Sequence, residues 1–327
     1  MPRLISPRKP CWFDKSKPIF FYSILILYPM SYEELLTQIA LEDDRFVVMT
    51  AENRALVRKM PETLKNRFID TGITEQTMVG AAAGLALRGR IPVIHALSTF
   101  LTMRAFEFIR TDIGIPGLPV KLSSYIPGFL SDGNGPTHQA IEDISLMRGI
   151  PNMTVYAPAD EDDLLKMVPS IWKNPEPAYI RINTRKTDYK HTPYNPGKSE
   201  IISVGKKATI LVYGLLFEEA FRAREILLKK GLDIGLVNMR CLKPLDQETL
   251  VQVIKDSEWI IPIEDHFHTG GLYSILAEFL LNKNLYPRVL PINLGEKWFT
   301  PGLLPQVLEN EGFSAARLAE RIEAHLA

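Results

Sequence analysis

The feature that most constrains the fold is a repeated alternation of short apolar runs with helix-like segments. In the first part of the chain the apolar runs lie near residues 45–50, 91–97, 119–124, 153–157 and 178–182. The second part repeats the pattern, with runs near 208–213, 233–238 and 259–264, a helix over 217–230 closed by Gly231, and a final amphipathic helix capped by Ser314. Such alternation is typical of parallel sheets covered by helices. We therefore expect two doubly wound α/β domains.

Composition shifts give the expected domain boundaries. Residues 184–207 are rich in proline and lysine and include Pro193, Pro196 and Gly197. Turn residues and charge make a packed core unexpected there and favour a connection between domains. The prediction is a first domain over 30–185, a linker over 186–207 and a second domain over 208–327.

The first 29 residues differ from the rest. They are basic and contain proline, and their apolar run over 19–27 is too short to span a bilayer. We interpret 1–29 as an extension outside the domains and expect translation to begin at Met30. Ser31 would then cap the first helix.

Charge and cysteine content narrow the class of protein. Basic and acidic residues number 38 each, so the formal net charge is zero. The charge therefore does not favour nucleic acid or an anionic membrane surface as a partner. Cys11 and Cys241 lie far apart in the sequence and lack metal-ligand spacing. A reducing, cytoplasmic location is the simpler expectation.

The segment Gly72-Ile73-Thr74-Glu75-Gln76 places a carboxylate at the start of a helix that soon becomes apolar and rich in small residues. A partner helix or backbone could approach that helix closely. A carboxylate held there would lose much of its water, which favours holding or sharing a proton. Taken alone, an ordinary first-turn acid, with Thr71 or Thr74 as the cap, is the simpler interpretation of Glu75.

The second element is the loop over 131–139, where glycines and a proline form a tight turn ahead of Thr137 and His138. A histidine projecting from such a turn can transfer protons or hold a charged oxygen. A capping or buried structural histidine is the alternative. The two elements together are more specific than either alone.

Several motifs occur in order: FIDTGITEQ over 68–76, STFL over 98–101, GPTHQ over 135–139, PNM over 151–153 and APAD over 157–160. This series resembles the pyrimidine-binding and C-terminal domains of the transketolase family of thiamine diphosphate enzymes, which has deoxyxylulose-phosphate synthase as a relative. The resemblance covers residue 31 to the C-terminus and is strongest over 68–163. Beyond residue 207 it rests on MRCLKPLD over 239–246 and EDHFHTGGL over 264–272.

The resemblance implies roles for residues of the first domain. Glu75 would share a proton with the far ring nitrogen of the cofactor's aminopyrimidine, as the family's cofactor glutamate does. Phe100 would provide the aromatic surface on which that ring stacks, with Met103 and Phe106 as further candidates. Ordinary core positions on a helix face are the alternative for Met103 and Phe106.

On the substrate side, the resemblance implies that His138 contacts the hydroxyl and carbonyl oxygens of a bound sugar. Many transketolases have an aspartate where this chain has Asn134, and an uncharged amide implies a different substrate preference. Arg185 lies near the position of the family's phosphate-binding arginine, with Arg181 as a competitor for that role. A solvated charge at a strand end is the alternative for either residue. The family's phosphate-binding histidine has no counterpart over 123–130.

The chain lacks the family's magnesium motif. A Gly-Asp-Gly segment normally begins the set of oxygen ligands through which Mg²⁺ holds the diphosphate, and none occurs in this sequence. At 327 residues the chain also has about half the length of a one-chain transketolase. We therefore expect the C-terminal subunit of a split transketolase, with no metal ligands of its own and an N-terminal partner subunit in an α2β2 assembly.

Three functions remain in view: a transketolase subunit transferring a two-carbon ketol unit between sugars, the β subunit of a 2-oxo acid dehydrogenase, and a non-catalytic assembly subunit of the same fold. The GPTHQ loop argues against the second, and Glu75 together with His138 argues against the third. The grouping Glu264, His266 and His268 resembles a metal cluster, but we interpret these residues as interface or loop-folding residues.

Overall fold

A computed structural model describes residues 30–326, so the expected extension over 1–29 lies outside the described residues. The strands are β1 (Phe46–Thr50), β2 (Phe68–Asp70), β3 (Ile91–Leu97), β4 (Lys121–Tyr125), β5 (Thr154–Tyr156), β6 (Ala178–Ile182), β7 (Glu200–Ser203), β8 (Ala208–Val212), β9 (Ile234–Asn238), β10 (Cys241–Lys243), β11 (Trp259–Ile263) and β12 (Arg288–Val289). The helices are α1 (Tyr32–Glu42), α2 (Met60–Leu64), α3 (Glu75–Leu87), α4 (Phe106–Phe108), α5 (Asp143–Arg148), α6 (Glu161–Lys173), α7 (Leu216–Lys229), α8 (Gln247–Asp256), α9 (Leu272–Lys283), α10 (Leu304–Asn310) and α11 (Ala315–Leu326). Short wide-turn helical segments, Phe100–Arg104 and Ile109–Gly114, flank α4.

The strands form two sheets, as the sequence predicts. The first has the order β10-β5-β6-β4-β3-β1-β2 and the second the order β12-β11-β8-β9-β7. Pairing is parallel throughout except at two edges, where β10 runs antiparallel to β5 and β7 antiparallel to β9. The fold is thus two parallel-rich α/β sheets. No helix within residues 30–326 is both long and apolar enough to cross a bilayer.

Helix starts follow local side-chain chemistry. The Ser31 hydroxyl accepts a hydrogen bond from the Glu34 backbone N–H, and the Glu34 carboxylate accepts one from the Ser31 N–H, which makes a reciprocal capping box. Asp160 caps α6 and Asp246 caps α8 through side chains that accept from the backbone N–H groups of Asp163 and Thr249. The Ser314 hydroxyl accepts from the Arg317 N–H at the start of α11, so the predicted cap is confirmed.

The two sheets share apolar contacts. One buried cluster includes Val47 and Met49 of β1 together with Val237 of β9 and Leu276 of α9. Strand β10 follows β9 in the chain yet completes the edge of the first sheet. The second half of the chain therefore contributes to the packing of the first.

The expectation that 184–207 contains no packed core is wrong. Strand β7 lies within this stretch and pairs with β9, and the side chains of His191 and Glu200 are buried. His191 pairs with Asp160 of the preceding half and Glu200 with Arg240 of the following half, which sequence alone does not reveal. The boundary positions themselves stay a prediction.

Candidate functional site

The predicted site residues gather at the carboxyl ends of parallel strands. Glu75 follows β2, Phe100 follows β3, and the loop containing His138 follows β4. Strands β2, β1, β3 and β4 are consecutive neighbours in the first sheet. Because the carboxyl ends of parallel strands open to one edge, these segments meet there, which is where α/β sheets bind ligands.

Glu75 is the first residue of α3, and its side chain is only 3% exposed. The helix N-terminus favours a negative charge at this position. Thr74 occupies the N-cap, but its side chain makes no capping hydrogen bond and instead donates to the Thr71 carbonyl. The alternative interpretation is thus met only in part, since Thr74 holds the cap position without capping through its side chain, and the Glu75 carboxylate is paired with an arginine.

That partner is Arg104, which sequence reasoning missed. Its Nη1 lies 3.0 Å from Glu75 Oε2, and its guanidinium carbon lies 4.1 Å from the centre of the Phe100 ring. The Arg104 side chain is 40% exposed, so the ion pair connects a buried carboxylate to the surface of the site. An arginine four residues after an aromatic residue in a helical run was the signal that could have indicated it.

Phe100 also contacts His138. Their ring centres are 5.0 Å apart with planes at 66°, an edge-to-face contact. The Thr99 hydroxyl donates to the His138 carbonyl at 2.7 Å, and Thr137 Oγ1 lies 3.0 Å from His138 Nδ1. A continuous series of contacts therefore joins Glu75, Arg104, Phe100 and His138.

The loop of His138 is held by the second half of the chain. Gln139 is buried and donates to the Phe299 carbonyl at 2.8 Å. The Asp132 carboxylate accepts from the Leu304 N–H at 3.2 Å. Asn134 is exposed at the tip of the loop, where its amide is open to a ligand. The position of His138 thus depends on the second sheet's connecting segments.

Met103, Phe106 and Arg185 stand apart from this series. Met103 is half-buried, and Phe106 packs against the apolar cluster of the first sheet, which favours the core interpretation of that ring. Arg185 is 42% exposed and lies 3.7 Å from Glu218 of α7. None of the described contacts connects Arg185 to Glu75 or His138.

Arg181 is buried and already paired with two carboxylates, so it cannot bind a free phosphate. Its guanidinium is buried between Asp143 of α5, at 3.0 Å, and Asp265 after β11, at 2.7 Å. Burial opposes its charge, but the two carboxylates outweigh that and hold the pKa of Arg181 well above its usual range. Of the two candidates, Arg185 alone is accessible.

The grouping Glu264, His266 and His268 does not form a metal site. The Glu264 carboxylate accepts backbone N–H bonds from Leu272 and Tyr273, at 2.5 and 3.0 Å, and so closes the N-terminus of α9. Burial raises the pKa of Glu264 to about 7. His266 is buried against the Phe267 carbonyl, and His268 is exposed. The loop-folding interpretation fits Glu264.

One other group has metal-type ligand atoms close together within the described residues: Asp163, His191 and Glu200. The guanidinium of Arg240 already lies among them, with Nε 2.7 Å from Asp163 Oδ1 and Nη2 3.3 Å from Glu200. Because an arginine supplies the positive charge that a metal would bring, this is a buried ion-pair cluster.

Comparison with protein families gives two matches along the chain. The model described as "Transketolase, pyrimidine binding domain" matches residues 26–189, and the model described as "Transketolase, C-terminal domain" matches residues 197–318. The chain belongs to the transketolase family. Membership of this family implies use of thiamine diphosphate.

Curated transketolase relatives align over most of the chain. A protein of Clostridium sp. (strain MSTE9) named "6-deoxy-6-sulfo-D-fructose transketolase subunit SqwH" is 32% identical over 88% of this chain and 91% of its own length. A "Putative transketolase C-terminal section" of Methanocaldococcus jannaschii is 32% identical over 89% of this chain and 93% of its own length. A 1-deoxy-D-xylulose-5-phosphate synthase of Dictyoglomus thermophilum is 38% identical over 78% of this chain but only 42% of its own length.

Solved structures agree with the fold. A protein described as "Split gene transketolase, inactive beta4 tetramer" superimposes with a TM-score of 0.81 at 31% identity, over 90% of this chain and 96% of that one. A transketolase from Campylobacter jejuni superimposes with a TM-score of 0.72 at 19% identity, over 89% of this chain and 45% of that one. At that identity the second comparison supports the fold alone.

Proposed function

We propose that this chain is the C-terminal subunit of a split transketolase that transfers a two-carbon ketol unit between sugars. The observation that carries the proposal is that one guanidinium, that of Arg104, contacts both the buried Glu75 carboxylate and the Phe100 ring, so that acid and ring face one site. A buried acid next to an aromatic surface fits the proton-sharing and stacking needs of an aminopyrimidine. Thiamine diphosphate, when bound, would supply an ionisable carbon whose deprotonated form is the nucleophile toward sugar carbonyl groups.

Each residue of the series has a defined task in this proposal. Glu75 holds the proton shared with the far pyrimidine nitrogen, and Phe100 fixes the plane of the ring. His138, partly open to solvent and oriented through its backbone by Thr99, donates to oxygens of the bound sugar. Met103 is proposed to complete the apolar wall and Phe106 to support it from the core side.

The proposal includes an N-terminal partner subunit that carries the diphosphate and Mg²⁺ in an α2β2 assembly. It is supported by the names of relatives that align over more than 90% of their own length, a transketolase subunit and a C-terminal section. The absence of a Gly-Asp-Gly segment from the sequence agrees with it, because the one carboxylate in the series of Glu75, Arg104, Phe100 and His138 is Glu75, which already pairs with Arg104. A cytoplasmic location is part of the same proposal.

The test is co-expression with a candidate N-terminal subunit and a ketol-transfer assay with thiamine diphosphate, Mg²⁺ and several ketoses. Phosphorylated, sulfonated and unmodified sugars should all be included, because one relative is named for a sulfonated sugar. Glu75→Gln should lower kcat by about 10²-fold or more, the scale of a lost acid–base group, while native mass spectrometry shows intact assembly.

Glu107→Gln is the matched control, since Glu107 is an exposed acid on the neighbouring α4 and should keep full activity. Full activity of Glu75→Gln would contradict the proposal. So would ketol transfer by this chain in the absence of a partner. Formation of a 1-deoxy sugar phosphate, without ketol transfer, would instead indicate the activity in the name of the third relative.

We further propose that the sugar carries a terminal anion held by Arg185. This side chain is accessible, whereas Arg181 is held by two buried carboxylates. Arg185→Met should raise KM for phosphorylated ketoses about tenfold or more, the value of a charge-assisted hydrogen bond, and leave KM for uncharged ketoses unchanged. An equal effect on both sugar classes would remove Arg185 from the site.

A further inference from the structure

Arg104 makes the two contacts that the proposed function reserves for the cofactor's aminopyrimidine ring. Its guanidinium bonds the Glu75 carboxylate at 3.0 Å and lies over the Phe100 ring at 4.1 Å from the ring centre. A guanidinium is planar, carries N–H donors along its edge and stacks on aromatic faces. A pyrimidine ring that bonds Glu75 and stacks on Phe100 satisfies the same two surfaces.

The two occupants cannot be present together on the same face of Phe100. The distance of 4.1 Å is the spacing of direct stacking, with no room for another ring between the guanidinium and Phe100. The Glu75 side chain is 3% exposed, and its Oε2 is already bonded to Arg104 Nη1 at 3.0 Å. A ring that stacks on this face of Phe100 and bonds the same oxygen therefore requires Arg104 to leave.

We propose that Arg104 occupies the aminopyrimidine subsite in the cofactor-free protein and is displaced when the cofactor ring binds. This inference rests on the proposed function. The arginine compensates the buried Glu75 charge while the site is empty, since a buried carboxylate without a partner is costly. Its 40% exposure leaves the guanidinium a path outward to solvent.

If Arg104 must be displaced, its removal should change the affinity for the cofactor by a predictable amount. A partly exposed ion pair stabilises the empty state modestly, so its loss weakens cofactor binding by a small factor. Arg104→Met keeps an apolar stem against Phe100 and removes the competing charge. We expect thiamine diphosphate to bind the Arg104→Met complex about fivefold more tightly than the unmodified complex, which corresponds to about 1 kcal/mol.

The first experiment uses the chain without cofactor or partner and measures thermal unfolding in a double-mutant cycle. Arg104→Met should lower Tm, because Glu75 loses its counter-charge. Arg104→Met should have less effect in the Glu75→Gln background, since no charge then needs compensation. Arg110→Met, at an exposed arginine of the neighbouring helical segment Ile109–Gly114, is the control and should leave Tm unchanged in both backgrounds.

The second experiment uses the assembled complex and measures the thiamine diphosphate Kd by near-ultraviolet circular dichroism at fixed Mg²⁺. Arg104→Lys, which keeps a charge without a planar group, should bind with an affinity between those of the unmodified and Arg104→Met complexes. Unchanged or weaker binding by Arg104→Met would overturn the inference, because Arg104 would then not compete with the ring. Additive Tm effects of the two substitutions would also overturn it.

The two proposals fail separately. If no variant and no unmodified complex binds thiamine diphosphate, the proposed function fails even where the unfolding cycle shows coupling between positions 75 and 104. If the unmodified complex binds and reacts normally but the Arg104 variants do not bind more tightly, only the displacement by Arg104 fails.

Discussion

The buried cluster around His191 should make the stability of this protein fall between neutral and alkaline pH. His191 Nδ1 lies 2.6 Å from Glu200, and Nε2 lies 3.3 Å from Asp160. Arg240 pairs with Asp163 and Glu200 from the other side. Asp160 and Asp163 lie at the start of α6, and Arg240 lies between β9 and β10. His191 precedes β7 and Glu200 is its first residue, so the cluster joins both sheets.

The size of this loss of stability follows from the pKa of His191. Burial disfavours the charged imidazole, but the hydrogen bonds that it donates to the Asp160 and Glu200 carboxylates outweigh burial and raise the pKa of His191 to about 9. The same contact with His191, against the effect of burial, lowers the pKa of Glu200 to about 2. For an unfolded histidine pKa of about 6.5, the difference of roughly 2.5 units at 1.36 kcal/mol each is about 3 kcal/mol.

Proton binding by His191 sets the direction in which stability changes with pH. Between pH 6.5 and 9 the folded protein holds a proton on His191 that the unfolded chain has released, so stability falls as pH rises. The contribution is complete below about pH 6.5 and is lost as pH passes about 9. Glu200 works in the opposite direction and in a different window, because its contribution is lost only as pH falls through about 2.

Urea unfolding of the protein and of His191→Gln at pH values from 6 to 10 measures this effect. The stability difference between the two should be largest near pH 6 and should shrink by about 3 kcal/mol by pH 10. His268→Gln changes an exposed histidine in the same way and should give a constant offset. A constant difference between the protein and His191→Gln across the whole range would refute the reasoning.

Three further outcomes are expected. Gly128 has φ of +54° and its added Cβ would lie 1.8 Å from Asp265 Oδ2, so Gly128→Ala should cost about 3 kcal/mol or more in urea unfolding, whereas Gly133→Ala, with open space around it, should be near neutral. Glu264→Gln should lower the free energy of unfolding by about 1–3 kcal/mol in the same assay, because the single amide oxygen replaces only one of the two oxygens that accept backbone N–H bonds at the start of α9. An unchanged midpoint would argue against that cap. Asn134→Asp should change the ratio of kcat/KM between sugars that differ at one hydroxyl by about tenfold, and an unchanged ratio would place Asn134 outside the substrate's reach.

The α/β class and most strands could be predicted because local pattern carries them. The runs near 91–97 and 178–182 coincide with β3 and β6, and the helix expected over 217–230 is α7 shifted by one residue. Strand β2 and strand β10 were not predicted as strands. Each is three residues long, and such short segments are formed by pairing with neighbours rather than by their own pattern.

The candidate site was only partly accessible to sequence reasoning. Motif order brought Glu75, Phe100 and His138 together, and the structure places them in one series of contacts. Arg104 was missed because its role depends on the carboxylate of another helix, 29 positions earlier in the chain. The stretch over 184–207 was misjudged for the same reason, since the partners that bury His191 and Glu200 lie far away in sequence.

By itself the sequence determined the two α/β domains, the family resemblance and the identity of the acid at position 75, because periodicity and motif spacing are local properties of the chain. Only the tertiary structure decided which charges meet: Arg104 with Glu75, Arg181 with Asp143 and Asp265, and Arg240 with Asp163 and Glu200. The physical reason is that an ion pair depends on the distance between two side chains and on their burial. Both quantities are set by how sheets and helices pack, not by the residues on either side in the chain.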